Sequence, residues 1–451
     1  MVSPLTTAVL VTVPQRPNLF RMRCMSLLLF LHVTSAAALS QALYMTRHTL
    51  PLASGKCTAG GPAVFYARNC SANWDSHSGV DYCPKGGPSD PIRYLIVFAG
   101  EDVRPLLDVS LSPTPPHAWD GTGAFCYSAQ SCSSRSPNLT STAGLPPLAF
   151  PGGLLSPYAE VNPNNYKSPS AFIPYCSSDL WAGSTSSAAG GLHFEGQRIA
   201  LSVLAALAAL PARASLLAAD EVILVGPPGI AALPALAAAG GLLKPGAAVT
   251  LVCDGCTLLP SPLPLPPSPP PPCATDADCP PHLSLPLAAQ LWAMPHPSQA
   301  CHPALATWAC LTVPALLAAP WGGGAARLLL VAQGGDARAA AAYGRGAAVA
   351  PALSAALQSA VAQAVGAGGG VLSRQGSGVY LSQACAAPSA LSLHGDAFYG
   401  QVNAACRNGA GEARNDSLAQ VLGADAECRE AGVPADVCVP CWGPGGGDTC
   451  L

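Results

Sequence analysis

Charge is what this chain has least of. Charged side chains make 10% of its 451 residues, against roughly a quarter in an average soluble domain. The 21 basic and 24 acidic residues leave a net charge of −3. No basic excess exists to drive binding to nucleic acid or to an anionic membrane by counterion release, so no nucleic-acid partner is expected. Glycine and proline (45 and 47) are about a fifth of the chain, below the roughly 25–30% that marks wholesale disorder. A clean membrane span is also missing. Residues 222–243 are uncharged and long enough to cross, but Pro227, Pro228, Pro234 and several glycines interrupt them. They read as a buried strand, a turn and an alanine-rich helix, and the mature chain is expected to carry no transmembrane segment. Half the residues are apolar, enough for a sizeable core. The surface must then be built largely from Ala, Gly, Ser and Pro.

What the chain does have is cysteine, 19 in all. That many are rare in a reducing compartment unless they bind metal. Near the N-terminus, Arg21 and Arg23 flank the apolar run 27–33, and Ser35, Ala36, Ala37 and Ala38 supply small residues for cleavage. This is the pattern of a secretory signal peptide. Its removal takes Cys24 and leaves 18 cysteines, an even number suited to disulfides. In a secreted chain Asn69, Asn138 and Asn415 head glycosylation sequons. The expected organisation is an extension and signal peptide over 1–42, a domain over 43–427, and a cysteine-rich tail over 428–451. Within the domain, an insert over 257–282 holds a proline-rich run that reads as an exposed polyproline II spacer facing an extracellular matrix.

Periodicity places strands at 92–99, 171–176, 222–225, 249–252 and 327–332, and helices at 193–210 and 347–365. Apolar strands separated by helices argue for an α/β fold. The sheet should be mostly parallel, with helices on both faces. The pairs Cys253-x2-Cys256 and Cys438-x2-Cys441 have zinc-ligand spacing. Their would-be partners do not, since Cys273 and Cys279 have five residues between them. Disulfides are the expectation for an oxidising compartment, with no metal and no cofactor.

The run Phe172-Ile173-Pro174-Tyr175-Cys176-Ser177-Ser178-Asp179-Leu180-Trp181-Ala182-Gly183 resembles the pectin acetylesterase/Notum family. Other segments agree in order: the cysteine-led opening at Cys57, the small loop from Phe125 through Cys126 and Cys132 to Arg135, and the helix start from Phe194 to Ile199. The resemblance spans about 55–410. It implies a secreted, disulfide-stabilised α/β-hydrolase-like fold that cleaves carboxylic esters with a Ser, Asp and His triad. It also implies a Cys57–Cys176 link and a Cys126–Cys132 link.

Ester cleavage by that route needs a serine on a sharp strand-to-helix turn, a histidine to take its proton and N–H groups to hold the oxyanion. The family's turn reads Gly-x-Ser-x-Gly. Here it reads Gly226-Pro227-Pro228-Gly229-Ile230, and no Gly-x-Ser-x-Gly occurs anywhere in the chain. Pro228 stands at the nucleophile position without a hydroxyl, and its ring locks φ near −65°, away from the strained positive φ of such an elbow. Ser184 to Ser187 only superficially echo the motif. Asp336, just beyond the strand at 327–332, matches the family's acid. Pro388 falls at the histidine position when the match is anchored on Cys385; His394 lies six residues further on, and neither His193 nor His302 has a supporting motif. Backbone groups at Gly123, Ala124 and Gly229 are the candidate oxyanion donors.

These residues predict a secreted member of a carboxylic-ester hydrolase (deacetylase) family whose catalysis is degenerate. Its retained function would be binding an acetylated polysaccharide or another acyl-bearing extracellular ligand in the matrix or cell wall. Two alternatives stay open: an active carboxylesterase, if the gene model is wrong near 226–230, and a structural matrix glycoprotein.

Overall fold

A computed structural model describes residues 45–68, 91–100, 125–135, 137–149, 153–155, 279–297, 301–319, 326–333, 343, 349–366 and 378–382. It also describes 165–260 apart from 167, 187–188 and 212–213. The expected signal peptide, residues 261–272 of the proline-rich run and the expected cysteine-rich tail lie outside these residues. So do Asn69, Gly123, Ala124, Asp336, Pro388, His394 and Asn415. Asn138 falls on a short helix, Pro137–Thr140.

Nine strands form one sheet: β1 (Met45–Thr49), β2 (Val64–Ala67), β3 (Arg93–Phe98), β4 (Leu148–Ala149), β5 (Ser170–Ile173), β6 (Glu221–Gly226), β7 (Ala248–Asp254), β8 (Ala326–Gln333) and β9 (Gly378–Ser382). Their spatial order is β4-β1-β2-β5-β3-β6-β7-β8-β9. The six strands from β5 to β9 in that order run parallel. At the other edge, β4, β1 and β2 are antiparallel, and β2 meets β5 antiparallel. The mostly parallel α/β sheet expected from the sequence is therefore present.

Continuous apolar runs make these strands. Every residue of β3 from Tyr94 to Phe98 and of β6 from Val222 to Gly226 is buried. Successive side chains point to opposite faces, so the sheet is covered on both. Helix Gly196–Ala208 buries Ile199, Ala200, Val203, Leu204 and Leu207, the stripe that a 3.6-residue period produces. Helix Val349–Gly366 contributes Val349, Leu353, Leu357 and Val361 to the same core.

The sheet's two ends differ in chemistry. At the N-terminal end, the Glu221 carboxylate takes Arg93 Nε at 2.8 Å and Arg327 Nη2 at 3.0 Å, tying β3, β6 and β8 together. At the C-terminal end the chain order reverses around β3, with β5 on one side and β6 on the other. In open α/β sheets such a switch point opens a crevice outside the strand ends.

Candidate functional site at the strand ends

Three segments meet at that switch point. The first is the end of β6 and the turn after it. Beyond Gly226 the chain enters a 3-10 turn, Pro228–Ala232, which runs into helix Leu233–Ala239. Pro228 is buried, and the Ile230 N–H donates to the Pro227 carbonyl at 3.1 Å. No positive φ occurs from Gly226 to Ile230. The corner therefore folds as an ordinary helical entry.

The second segment is the loop after β5. Ser178, Leu180 and Trp181 all have positive φ, at 53°, 54° and 66°. Three non-glycine residues in this region within four positions store strain that the surroundings must hold. Asp179 holds it. Its carboxylate is fully buried and accepts three backbone N–H groups: Trp181 at 3.0 Å, Gly183 at 3.2 Å and Gly196 at 2.8 Å. Burial pushes its pKa up to about 6, against the opposing pull of the Ser177 hydroxyl and those N–H groups. Gly183 and Gly196 are required at these places, because a Cβ there would lie 2.4 and 2.2 Å from the carboxylate oxygens. The loop is also pinned by Trp181, whose indole N–H donates to the Ala99 carbonyl at 2.8 Å, just past β3. The buried Tyr175 hydroxyl accepts the Leu180 N–H at 2.7 Å.

The third segment is the Cys126–Cys132 loop. Its disulfide forms, as does Cys57–Cys176, so both links implied by the family resemblance are present. Phe125 bridges to Asp179, and the Cys126 N–H donates to the Ser178 carbonyl at 3.1 Å. The Trp292 indole closes the group by donating to the Cys126 carbonyl at 2.9 Å while meeting Phe125 edge-on.

Loop and corner touch at Gly229, where a Cβ would sit 1.8 Å from the Leu180 carbonyl oxygen. Of the residues named from sequence, the structure thus brings together Pro228, Gly229 and the Cys126–Cys132 loop. Gly123 and Ala124 directly precede that loop, outside the described residues. Asp179 was not singled out from sequence, because one of its donors, Gly196, lies 17 residues away.

The remaining candidates stand apart from this corner. The exposed Ser184 hydroxyl donates to the Ala293 carbonyl at 2.7 Å. His193 Nδ1 lies 3.6 Å from the buried Glu195, whose other oxygen is 3.5 Å from Arg198. His302 Nδ1 accepts the Ala304 N–H at 3.2 Å. The Cys253-x2-Cys256 pair forms a disulfide.

Residues 120–261 match the Pectinacetylesterase family profile, and they contain both the Asp179 loop and the Pro228 corner. Over this segment the chain is similar to the pectin acetylesterase family. The curated relatives it resembles are named as palmitoleoyl-protein carboxylesterases, one of them as an inactive form. The inactive palmitoleoyl-protein carboxylesterase notum1b of Danio rerio is 42% identical over 66 residues, 14% of this chain and 48% of that protein. The palmitoleoyl-protein carboxylesterase NOTUM of Schmidtea mediterranea is 39% identical over 80 residues, 17% of this chain and 15% of that one. The match thus spans about half or less of these relatives' lengths. The solved structure of the Wnt deacylase Notum from Drosophila aligns with 70% of this chain and 81% of its own, at 19% identity and a TM-score of 0.49. No described helix is long and apolar enough to cross a membrane.

Proposed function

We propose that this chain is a secreted, catalytically degenerate member of the pectin acetylesterase/Notum family that retains binding of an acyl-bearing glycan or other acylated extracellular ligand. One observation carries the reading: proline occupies the corner where the family places its serine. Pro228 offers no hydroxyl, and it enters a 3-10 turn with no positive φ. A covalent acyl intermediate needs an oxygen or sulfur nucleophile at hydrogen-bond reach of a base, and this corner has none. The sequence supports the same reading at Pro388, which stands at the family's histidine position. When such groups are lost together, binding and the oxyanion donors leave roughly 10³–10⁴ over the uncatalysed rate. That factor is far short of useful turnover on an alkyl ester. Secretion is supported by the signal-peptide pattern and by the disulfides Cys57–Cys176, Cys126–Cys132 and Cys301–Cys310, which persist in oxidising compartments.

The test is acetate release from acetylated pectin, and hydrolysis of chromogenic acyl esters, by the purified secreted chain. The expected result is no release above a heat-treated control, together with measurable retention on the acetylated polymer relative to the deacetylated one. Turnover that disappears on Asp336→Ala would restore the enzyme reading. Equal retention on both polymers would remove the ligand assignment.

A further inference from the structure

One buried cation stands at the end of the sheet opposite the Pro228 corner. Arg68 follows β2 and is 4% exposed. Because β2 meets β5 antiparallel, Arg68 lies where β5 begins, at the N-terminal end of the parallel strands. Its Nη1 donates to the Tyr166 carbonyl at 3.1 Å and its Nη2 to the Leu155 carbonyl. No ion pair among the described residues includes it. The carboxylates of Asp220 and Glu221 at this end are taken, the first by Lys244 and the second by Arg93 and Arg327. Burial alone draws the Arg68 pKa down to about 10, so the guanidinium still carries its charge at neutral pH.

A second group beside it is also unsatisfied. The pairs Tyr66↔Phe172 and Ala67↔Ala171 set Arg68 directly opposite Ser170, and the Arg68 backbone N–H donates to the Ser170 carbonyl at 3.0 Å. Directly opposed residues point to the same face of a sheet. Arg68 Nε and Ser170 Oγ are both buried, and neither has a hydrogen-bond partner among the described residues. On the same face, two residues along each strand, the buried rings of Tyr66 and Phe172 pack with centroids 6.4 Å apart. Two donors, one of them charged, thus share an apolar surrounding and lack an acceptor.

We propose that Arg68 and Ser170 hold a small monovalent anion of the halide class, chloride, which bridges β2 and β5. Buried donors are paired in folded proteins, so this place calls for an acceptor. A water molecule accepts from both groups but brings no charge, and a buried charge without a counter-charge is strongly destabilising. Chloride accepts from any direction and carries the single negative charge that Arg68 requires. Sulfate or phosphate would bring more oxygens than two orphaned donors satisfy. The site is independent of any ester chemistry. It joins the antiparallel edge to the parallel strands, so its occupancy is read as stability.

The experiment unfolds the purified full chain in urea across a chloride series, with gluconate holding the ionic strength constant. Above the binding midpoint, the unfolding equilibrium constant should fall about tenfold for each tenfold rise in chloride, and bromide should replace chloride. Ser170→Ala should move that dependence to at least about tenfold higher chloride; it removes a hydroxyl that no described protein group pairs, so the fold is kept. Arg68→Met should abolish the dependence. Bromide-soaked crystals of the unaltered chain give a readout independent of any variant's folding, with an anomalous peak expected between Arg68 Nε and Ser170 Oγ. Stability indifferent to chloride, as a water in the same place would leave it, would overturn the assignment. So would a dependence unchanged in Ser170→Ala, or the lack of a bromide peak beside Arg68.

Discussion

Asp179 carries a quantitative pH signature. Its carboxyl is fully buried, and burial raises its pKa from 3.8 to about 6. Below about pH 4 the group is protonated in both folded and unfolded chains. Between pH 4 and 6 the unfolded chain releases the proton while the folded chain keeps it. The unfolded state then binds fewer protons, so stability falls as pH rises through this window and levels off above it. That rise in pKa corresponds to about 3 kcal/mol over the whole titration. Ordinary carboxylates oppose this trend. Asp220, held low by Lys244 and by the Ile92 N–H, contributes stability that is lost as pH falls. The comparison therefore has to be made against Asp179→Asn, which keeps the shape but does not titrate. One amide nitrogen then faces a backbone N–H, costing about 1–3 kcal/mol and making the variant the less stable protein at pH 4. Urea unfolding of both proteins at pH 4, 5, 6 and 7 reads the difference. Between pH 4 and 7 the variant should gain about 2.4 kcal/mol on the wild type, most of the full effect. Parallel curves would refute the reasoning, because the Asp179 proton affinity would then be the same folded and unfolded.

Other perturbations probe the neighbouring contacts. Gly229→Ala places a Cβ 1.8 Å from the Leu180 carbonyl, and thermal unfolding should register a loss of about 3 kcal/mol or more. Glu221→Gln weakens the two ion pairs that the Glu221 carboxylate makes with Arg93 and Arg327; the cost should be about 1–3 kcal/mol in urea, smaller at high salt. Pro228→Ser returns a hydroxyl to the corner without restoring the strained elbow, so the variant should still release no acetate. Acetate release by that variant at rates typical of an enzyme would show that the missing oxygen alone separates this chain from an active one.

The parallel sheet was legible because its strands are long apolar runs. The segments at 92–99, 222–225, 249–252 and 327–332 became β3, β6, β7 and β8 with shifts of a few residues at their ends. Helix 193–210 was overextended at both ends; it runs from Gly196 to Ala208, because the Gly196 N–H is taken by the Asp179 carboxylate instead of starting from a local cap. The antiparallel edge was not legible. The strands β1, β2 and β4 have two to five residues each, too few for a period-two pattern to stand out. At the corner, Pro228 could be read directly because a missing hydroxyl is a fact of the sequence. The role of Asp179 could not, since its ligands are backbone N–H groups gathered by tertiary folding. Its only trace in the sequence is the paired glycines, Gly183 and Gly196, whose missing side chains make room for it.

If the chain is catalytically degenerate, as proposed, no side chain of it serves as an acyl-accepting nucleophile. Incubation of the intact purified protein with a fluorophosphonate, followed by intact-mass and peptide mass spectrometry, decides the matter. The expected result is an unchanged mass and an unlabelled peptide across Gly226–Ile230. A stoichiometric adduct on any serine, above all one that vanishes on Asp336→Ala, would contradict it.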